Sequence, residues 1–214
     1  MGFKSKIVQV DPQRPAPKTI MKAASVVRSG GVIAFPTRCL YGLGADAFNT
    51  EAVRRIFSIK QRPDVKPVLI LIADVSQLDR LVKNVTEVAA DIMRKFWPGE
   101  VTLVFEAGDV VPPVLTGGSG KIGIRLPGHP VASALVKAVA GPVTGTSANL
   151  SGDPGCHRIE DLVPQVARQL DLILNAGPLK GGSGSTVVDV TAGKPRILRE
   201  GTISADEIMN LVEL

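Results

Sequence analysis

The 214-residue sequence contains only two histidines, two cysteines and 4% aromatic residues. Two histidines leave few groups for acid–base chemistry near neutral pH, and scarce aromatic residues argue against an RNA platform that stacks bases. No apolar run approaches the roughly 20 residues of a transmembrane helix, so no membrane is expected as a partner. Cys39 and Cys156 form no CxxC pair, which indicates reduced thiols in a cytoplasmic protein.

The familiar nucleotide-binding and hydrolase motifs are absent as well. No GxGxxG occurs, so a dinucleotide site of the Rossmann type lacks its fingerprint. LTGGSGKI ends like a P-loop, but Leu115 replaces the first glycine and Ile122 replaces the Ser or Thr that would hold Mg²⁺. GTSAN lacks the spacing of GxSxG, which argues against covalent catalysis by Ser147. The histidines and cysteines have no metal-ligand spacing, so no metal site is predicted.

The overall composition is that of a globular protein with a positive charge. Hydrophobic residues make up 44% of the chain and charged residues 21%, with a net charge of +5 and a pI of about 9.4. This charge favours anionic partners such as nucleotides or RNA. The basic residues form two groups, at Arg54, Arg55, Lys60, Arg62 and Lys66 and again at Lys194, Arg196 and Arg199.

Helical and strand-like segments alternate along the chain. Helices are predicted over 19–30, 50–60 with Thr50 as the N-cap, 88–97, 131–140, 159–169 and 204–213. Strands are predicted at 31–35, 68–73, 101–106, 122–126, 142–144, 171–174, 186–190 and 195–200. The strands are too irregularly spaced for a regular βαβ series. The pattern predicts one α/β domain over 1–214, with a mixed parallel and antiparallel sheet and helices on its faces.

Short polar motifs stand at the ends of several predicted strands. GTSAN follows one strand, and KQRPDVK precedes another. Arg125 lies within the apolar strand of GIRLP, where an unpaired guanidinium would be costly, and Arg199 has a similar setting in ILREG. Each motif alone has a plain structural explanation, such as a glycine turn or a helix-end lysine. Together they bring cations, hydroxyls and amides to strand ends, where open α/β sheets bind ligands. They favour a polyanionic, carboxylate-bearing substrate pair.

Six motifs carry a family resemblance: PTRCLYGLGA, KQRPDVKPV, GIRLPGHP, GTSANLSG, STVVDV and ILREG. They occur in the order typical of the YrdC/Sua5 family and span residues 36–201, within a core of 31–201. The chain resembles the short form of that family, the threonylcarbamoyl-AMP synthases, without the C-terminal extension of the long form. The resemblance implies a YrdC-like twisted mixed sheet that encloses a large basic cavity.

The resemblance also implies a reaction. L-Threonine, bicarbonate and ATP, with Mg²⁺ carried in by the ATP and no permanently bound cofactor, would give threonylcarbamoyl-AMP and pyrophosphate. Separate partner proteins would then transfer the threonylcarbamoyl group to tRNA next to the anticodon. Such chemistry depends on positioning and on stabilising negative charge more than on a protein nucleophile.

Specific residues are implied for each part of this site. The expected catalytic residues are Lys60, Arg62, Ser147 and Asn149. The expected ATP-binding residues are these four with Lys66, Lys121, Gly155 and Arg199. The expected threonine-binding residues are Thr37, Cys39, Tyr41, Arg125, Gly145 and Ser185. Thr146, Ser147 and Asn149 would form a neutral hydrogen-bonding wall beside the adenylate.

The sequence departs from the family pattern at five positions. Cys39 stands where threonine is common, Lys66 where asparagine is, Leu71 where histidine is, Gly155 where serine is, and Lys121 where a small hydroxyl residue is. A thiol is a weaker hydrogen-bonding group than a hydroxyl. These departures bear mainly on amino-acid specificity.

Two other functions remain open at this point. One is a carbamoyl-adenylating enzyme of the hydrogenase-maturation type, although such domains sit in longer chains with acylphosphatase and zinc-finger modules. The other is a non-catalytic binder of double-stranded or structured RNA, because a basic concavity can recognise an RNA backbone without aromatic residues. Direct contact with tRNA is compatible with either the enzyme or the binder.

Overall fold

The structure is a computed structural model that describes residues 6–212. Its helices are α1 Pro17–Arg28, α2 Thr50–Lys60, α3 Leu78–Leu81, α4 Glu87–Phe96, α5 Pro113–Thr116, α6 Pro130–Val139, α7 Pro164–Ala167 and α8 Ala205–Val212. Its strands are β1 Ile7–Gln9, β2 Ile33–Pro36, β3 Tyr41–Gly44, β4 Ile70–Leu71, β5 Val101–Glu106, β6 Lys121–Arg125, β7 Val143–Thr144, β8 Thr146–Ser147, β9 Leu172–Asn175, β10 Thr186–Asp189 and β11 Arg196–Arg199. Two 3₁₀ turns cover Val75–Gln77 and Ile159–Asp161. The predicted end of the last helix, at 213, lies outside the described residues.

The strands form two sheets where the sequence predicted one. The five-stranded sheet has the order β1-β9-β2-β3-β8, and the six-stranded sheet has the order β11-β10-β5-β6-β4-β7. Both sheets combine parallel and antiparallel pairs, so the predicted mixed α/β fold is confirmed. The chain crosses between the sheets at Gly145, because Thr144 ends β7 in one sheet and Thr146 begins β8 in the other.

The two sheets differ in how their faces are covered. In the five-stranded sheet, Ile33 and Phe35 pack in a cluster with α1 and α6, while Ala34 packs on the opposite face with α2. Both faces are therefore apolar. In the six-stranded sheet, Leu103 and Ile124 face a core completed by residues of α4 and α8. The other face of β5, β6 and β10 borders a cavity.

Three local predictions are corrected by the structure. The N-cap of α2 is Asn49, whose side chain accepts a hydrogen bond from the backbone N–H of Ala52, so Thr50 is already helical. The predicted helix over 159–169 is a 3₁₀ turn followed by the short α7. A helix cannot run through Pro164, which lacks an N–H donor and clashes with the preceding turn, but it can start there.

The predicted strand over 68–73 is reduced to Ile70–Leu71. Its neighbour β7 is only two residues long. The N–H of Val68 donates to the carbonyl oxygen of Leu115, in α5, and not to a neighbouring strand. Among residues 6–212, no helix combines the length and apolar character that crossing a bilayer requires.

Candidate functional site

A cavity of about 820 Å³ lies over the polar face of the six-stranded sheet. Side chains of a strand alternate between its two faces, so every second residue of a strand borders the cavity. The residues that line it from β5, β6, β10 and the residue before β10 are Thr102, Val104, Lys121, Gly123, Arg125, Ser185, Val187 and Asp189. The residues between them, such as Leu103 and Ile124, are buried in the core.

The cavity lining has more cations than anions. Its cationic residues are Arg38, Arg62, Lys121, Arg125, Arg196 and Arg199, and its acidic residues are Glu100, Asp153 and Asp189. Asp189 pairs with Lys121 at 2.8 Å and with Arg196 at 3.5 Å. Among the described residues, Arg62, Arg125 and Arg199 have no carboxylate within 4.0 Å. The arrangement leaves three guanidinium groups for an anionic ligand.

Arg125 is the most deeply placed of these three arginines. Its Nε atom is buried and has no hydrogen-bond partner in the described part of the chain. Burial lowers the pKa of Arg125 to about 10, although the charge of Glu100 partly offsets the effect. A buried N–H group without a partner is costly, and an anion that entered the cavity would stabilise the guanidinium by charge-assisted hydrogen bonds.

Arg62 and Arg199 are held by backbone carbonyl groups. Arg62 donates from Nε to the Lys66 oxygen at 3.3 Å and from Nη2 to the Pro67 oxygen at 2.7 Å. Arg199 donates from Nη2 to the Ser185 oxygen at 2.7 Å. Neutral carbonyl partners orient these guanidinium groups without cancelling their charge. Both side chains therefore present fixed positive charge to the cavity.

The GTSAN stretch lies where the two sheets meet. Gly42 pairs with Ser147 and Leu43 with Thr146, which adds β8 to the edge of the five-stranded sheet. A Cβ atom on Gly145 would stand 2.8 Å from the Leu69 side chain and 2.9 Å from that of Leu71, so a larger residue at the crossing would have to displace them. Thr146, Ser147 and Asn149 also line the cavity, and Ser147 Oγ donates to Asn149 Oδ1.

Lys60 lies behind this wall and not in the cavity. Its side chain is 1% exposed, and its Nζ donates to the oxygen of Ser147 at 2.5 Å and to the oxygen and Oδ1 of Asn149 at 2.8 and 3.0 Å. Burial and, next, the charge of Arg62 lower the pKa of Lys60 to about 8. All three of its donors are occupied by this wall, so the structure places Lys60, for which the sequence predicted a contact with ATP, outside the cavity lining. Lys66 is exposed and also lies outside the cavity lining.

The remaining predicted residues all line the cavity, but one of them uses its polar group elsewhere. The Tyr41 hydroxyl donates to the Gly177 oxygen at 2.7 Å and accepts from the Ala176 N–H, and burial raises its pKa to about 12. The hydroxyl of Tyr41, a residue that the sequence assigned to threonine, thus has both a donor and an acceptor within the protein. Ser185 Oγ lies 2.8 Å from Thr102 Oγ1.

The segment that joins β2 to β3 contributes further lining residues. Thr37 Oγ1 donates to the Leu40 oxygen at 2.6 Å, and Cys39 Sγ donates to Glu100 Oε1 at 3.2 Å. At Gly155, a Cβ atom would stand 2.7 Å from the Leu40 side chain. The Leu40 side chain therefore occupies the space that a side chain at position 155 would need.

Sequence reasoning assigned no site role to five charged residues of the cavity, namely Arg38, Glu100, Asp153, Asp189 and Arg196. The sequence does contain an indication of Glu100, because an acidic residue stands there between the turn at 98–99 and an apolar strand. Asp189 likewise interrupts the apolar run of STVVDV. No group of three or more His, Cys, Asp or Glu that could hold a metal ion occurs among residues 6–212.

The fold and the site together define an α/β protein with two mixed sheets and an arginine-rich cavity at their junction. The family model Sua5_yciO_yrdC, described as "Telomere recombination", matches residues 25–201. The chain belongs to the Sua5/YciO/YrdC family.

Its relatives include two proteins named threonylcarbamoyl-AMP synthase. The one from Pyrococcus abyssi (strain GE5 / Orsay) is 38% identical over 190 residues, which are 89% of this chain and 56% of the relative. The one from Bacillus subtilis (strain 168) is 39% identical over 190 residues, which are 88% of this chain and 55% of the relative. The chain thus spans about half the length of these relatives.

The fold is also similar to that of a solved structure, the crystal structure of P. abyssi Sua5 complexed with L-threonine. The TM-score is 0.92 at 37% sequence identity, and the match covers 96% of this chain and 60% of that one.

Proposed function

We propose that this protein is an L-threonylcarbamoyladenylate synthase, a nucleotidyltransferase that forms threonylcarbamoyl-AMP and pyrophosphate from L-threonine, bicarbonate and ATP. The observation that carries the proposal is the guanidinium of Arg125, whose buried Nε has no hydrogen-bond partner among the described residues, in a cavity that also holds Arg62 and Arg199. One arginine is suited to a carboxylate and the other two to phosphates. The names of the relatives and the threonine complex of P. abyssi Sua5 support the same assignment.

The reaction needs two steps that both create or move negative charge. The neutral amine of threonine attacks CO₂ formed from bicarbonate, loses a proton and becomes a carbamate. A carbamate oxygen then bonds to the α-phosphorus of ATP, and the bond from that phosphorus to the bridging oxygen breaks, so pyrophosphate leaves. Neither step requires a protein nucleophile, which agrees with a cavity lined by donors.

The residues of the cavity divide between the two substrates. Arg125 would bind the threonine carboxylate, with Ser185 on the same side. Ser185 Oγ also lies 3.4 Å from Arg199 Nη2, so the threonine side would border the phosphate side at this serine. Arg62 and Arg199 would hold the phosphates, with Ser147 and Asn149 as neutral donors beside the adenylate. Each well-placed donor to a developing charge lowers the barrier by roughly 3 kcal/mol.

Mg²⁺ would enter as part of the nucleotide substrate and neutralise phosphate charge. The unpaired arginines fit a magnesium nucleotide, whose net charge remains negative. Lys121 is less suited to this role than the sequence suggested, because its ammonium already pairs with Asp189. We further propose that the product passes, in the cytoplasm, to partner proteins that modify tRNA next to the anticodon.

The direct test is pyrophosphate release by the purified protein with ATP, Mg²⁺, bicarbonate and L-threonine. Omission of bicarbonate or replacement of threonine by serine should reduce the signal strongly. Arg62→Ala and Ser147→Ala should each lower turnover on the order of 100-fold while the protein stays folded. Threonine-independent turnover would instead indicate carbamoyl adenylation. Absence of turnover together with salt-sensitive binding of structured RNA would indicate a non-catalytic binder.

A further inference from the structure

Glu100 is a buried carboxylate of the cavity to which neither the sequence motifs nor the proposed chemistry assigns a role. It lies between α4 and β5, and its side chain is 7% exposed. Oε1 accepts a hydrogen bond from Cys39 Sγ at 3.2 Å and lies 3.4 Å from Arg38 Nε. Oε2 has no hydrogen-bond partner among the described residues. It is also not one of the fully buried side-chain atoms that lack a partner, so it is accessible. This oxygen therefore opens to the cavity.

The other two carboxylates of the cavity lie in different settings. Asp189 is neutralised by Lys121 and Arg196 and also accepts hydrogen bonds from Thr191. Asp153 is exposed at the rim. Only Glu100 combines burial with a free oxygen. Its single cation within 4.0 Å, Arg38, has a side chain that is 58% exposed, so solvent weakens that pair.

Arg125 and Glu100 share this part of the cavity without forming an ion pair. Their charges influence each other, but no nitrogen of Arg125 lies within 4.0 Å of the Glu100 carboxylate. Groups that served only to neutralise each other would be in direct contact. A guanidinium with an unpartnered Nε and a carboxylate with an open oxygen instead present both charges to a ligand. The complementary ligand carries a carboxylate and an ammonium group close together.

We propose that Glu100 binds the α-ammonium group of the amino-acid substrate, so that Glu100 and Arg125 together select a zwitterionic α-amino acid. This inference deepens the proposed function and rests on it for the identity of the substrate. The carboxylate accepts a hydrogen bond from the ammonium form and equally from the neutral amine that reacts with CO₂.

Cys39 acquires a role in the same arrangement. Burial raises the pKa of its thiol, which therefore keeps its proton and donates to Glu100. This contact uses Oε1 and leaves Oε2 directed to the ligand. Cys39 is thus a positioning residue for Glu100 and not a direct contact of threonine.

The test compares L-threonine with 2,3-dihydroxybutanoate, which keeps the carboxylate and the side-chain hydroxyl but has a hydroxyl in place of the amine. Binding of each is measured by calorimetry to the wild type, Glu100→Gln and the matched control Glu106→Gln. Glu106 is the last residue of β5, the strand that begins directly after Glu100, and it is exposed. The wild type and the control should prefer threonine. Glu100→Gln should bind threonine at least tenfold more weakly and bind the analogue as before, so the preference disappears.

Binding of a non-hydrolysable ATP analogue reports whether each variant is folded. If Glu100→Gln does not fold, Glu100→Asp replaces it and should weaken threonine binding while keeping the preference for the amine. A wild type without that preference, or a folded Glu100→Gln variant with wild-type affinity for threonine, would overturn the inference. A wild type that prefers another α-amino acid would contradict the proposed function and leave the role of Glu100 intact.

Discussion

The ammonium nitrogen of Lys60 lies 2.8 Å from the backbone oxygen of Asn149 and 3.0 Å from its side-chain oxygen. Lys60 is the last residue of α2, and Asn149 follows the strand that the chain reaches after crossing between the sheets. A buried charge therefore holds one wall of the cavity from behind. Ser147 and Asn149, which line the cavity, are therefore held by a lysine that lies outside its lining.

Replacement of Lys60 by methionine should disorder this wall. All three oxygen atoms would lose the lysine. The Ser147 oxygen keeps the N–H of Asn149 as a donor and Asn149 Oδ1 keeps the Ser147 hydroxyl, so the backbone oxygen of Asn149 would be left unsatisfied among the described residues, at a cost of about 1–3 kcal/mol. We expect Lys60→Met to lower the melting temperature and reduce the turnover number more than it raises the Michaelis constant for threonine. The matched control is Lys83→Met, an exposed lysine outside the cavity, which should leave both unchanged. Wild-type turnover by Lys60→Met would refute the positioning role.

The lowered pKa of Lys60 makes a prediction about stability and pH. Its value is about 8 in the folded protein against 10.5 for an ordinary lysine. Between these values the unfolded chain holds a proton that the folded chain has lost, so stability rises with pH. Relative to Lys60→Met, the wild type should gain at most about 3 kcal/mol in free energy of unfolding from pH 7 to pH 10. Urea unfolding at both pH values measures this, and a constant difference would show an ordinary pKa.

We expect Arg125 to lower the stability of the protein while it contributes to threonine binding. Its Nε is buried without a hydrogen-bond partner among the described residues, so Arg125→Met should leave the free energy of unfolding unchanged or raise it by about 1–3 kcal/mol. The same variant should bind threonine at least about tenfold more weakly, because a hydrogen bond to a charged group is lost. Arg94→Met, in an exposed pair with Asp91, is the control for both measurements. A clear loss of stability would mean that Arg125 has a partner within the protein.

Gly201 fixes the distance between β11 and the segment that carries Ser185. A Cβ atom there would stand 2.2 Å from the Gly184 oxygen and 2.5 Å from the Ser185 carbonyl carbon. Gly201→Ala should therefore destabilise the protein by about 2 kcal/mol or more and reduce threonine-dependent turnover. Gly193→Ala meets no neighbouring atom and serves as the control in thermal unfolding. Equal melting temperatures for the two variants would contradict this packing argument.

Local sequence patterns predicted the helices and strands whose apolar residues form one regular stripe or run. The apolar stripe of α2 and the apolar run of β5 coincide with the predicted 50–60 and 101–106. The pairing of β3 with β8 could not be predicted, because YGLG and TS have little strand character of their own. Their hydrogen bonds join segments about 100 residues apart, and no local pattern encodes that contact.

The candidate site was predictable as a set of positions but not as a set of contacts. Strand-end motifs identified residues that, apart from Lys60 and Lys66, line one cavity. The sequence could not indicate that the ammonium of Lys60 turns away from the cavity, because that depends on where the Asn149 loop packs. Glu100 was missed for a similar reason. Its importance arises from burial beside Cys39 and Arg125, which are distant in sequence.

The central claim is that one cavity holds the amino acid and the nucleotide side by side. A crystal structure of this protein with L-threonine and a non-hydrolysable ATP analogue tests it most directly. We expect the threonine carboxylate at Arg125, its amine at Glu100 and the phosphates at Arg62 and Arg199. Ligands bound outside the cavity, or phosphates at Arg125 with threonine elsewhere, would contradict it.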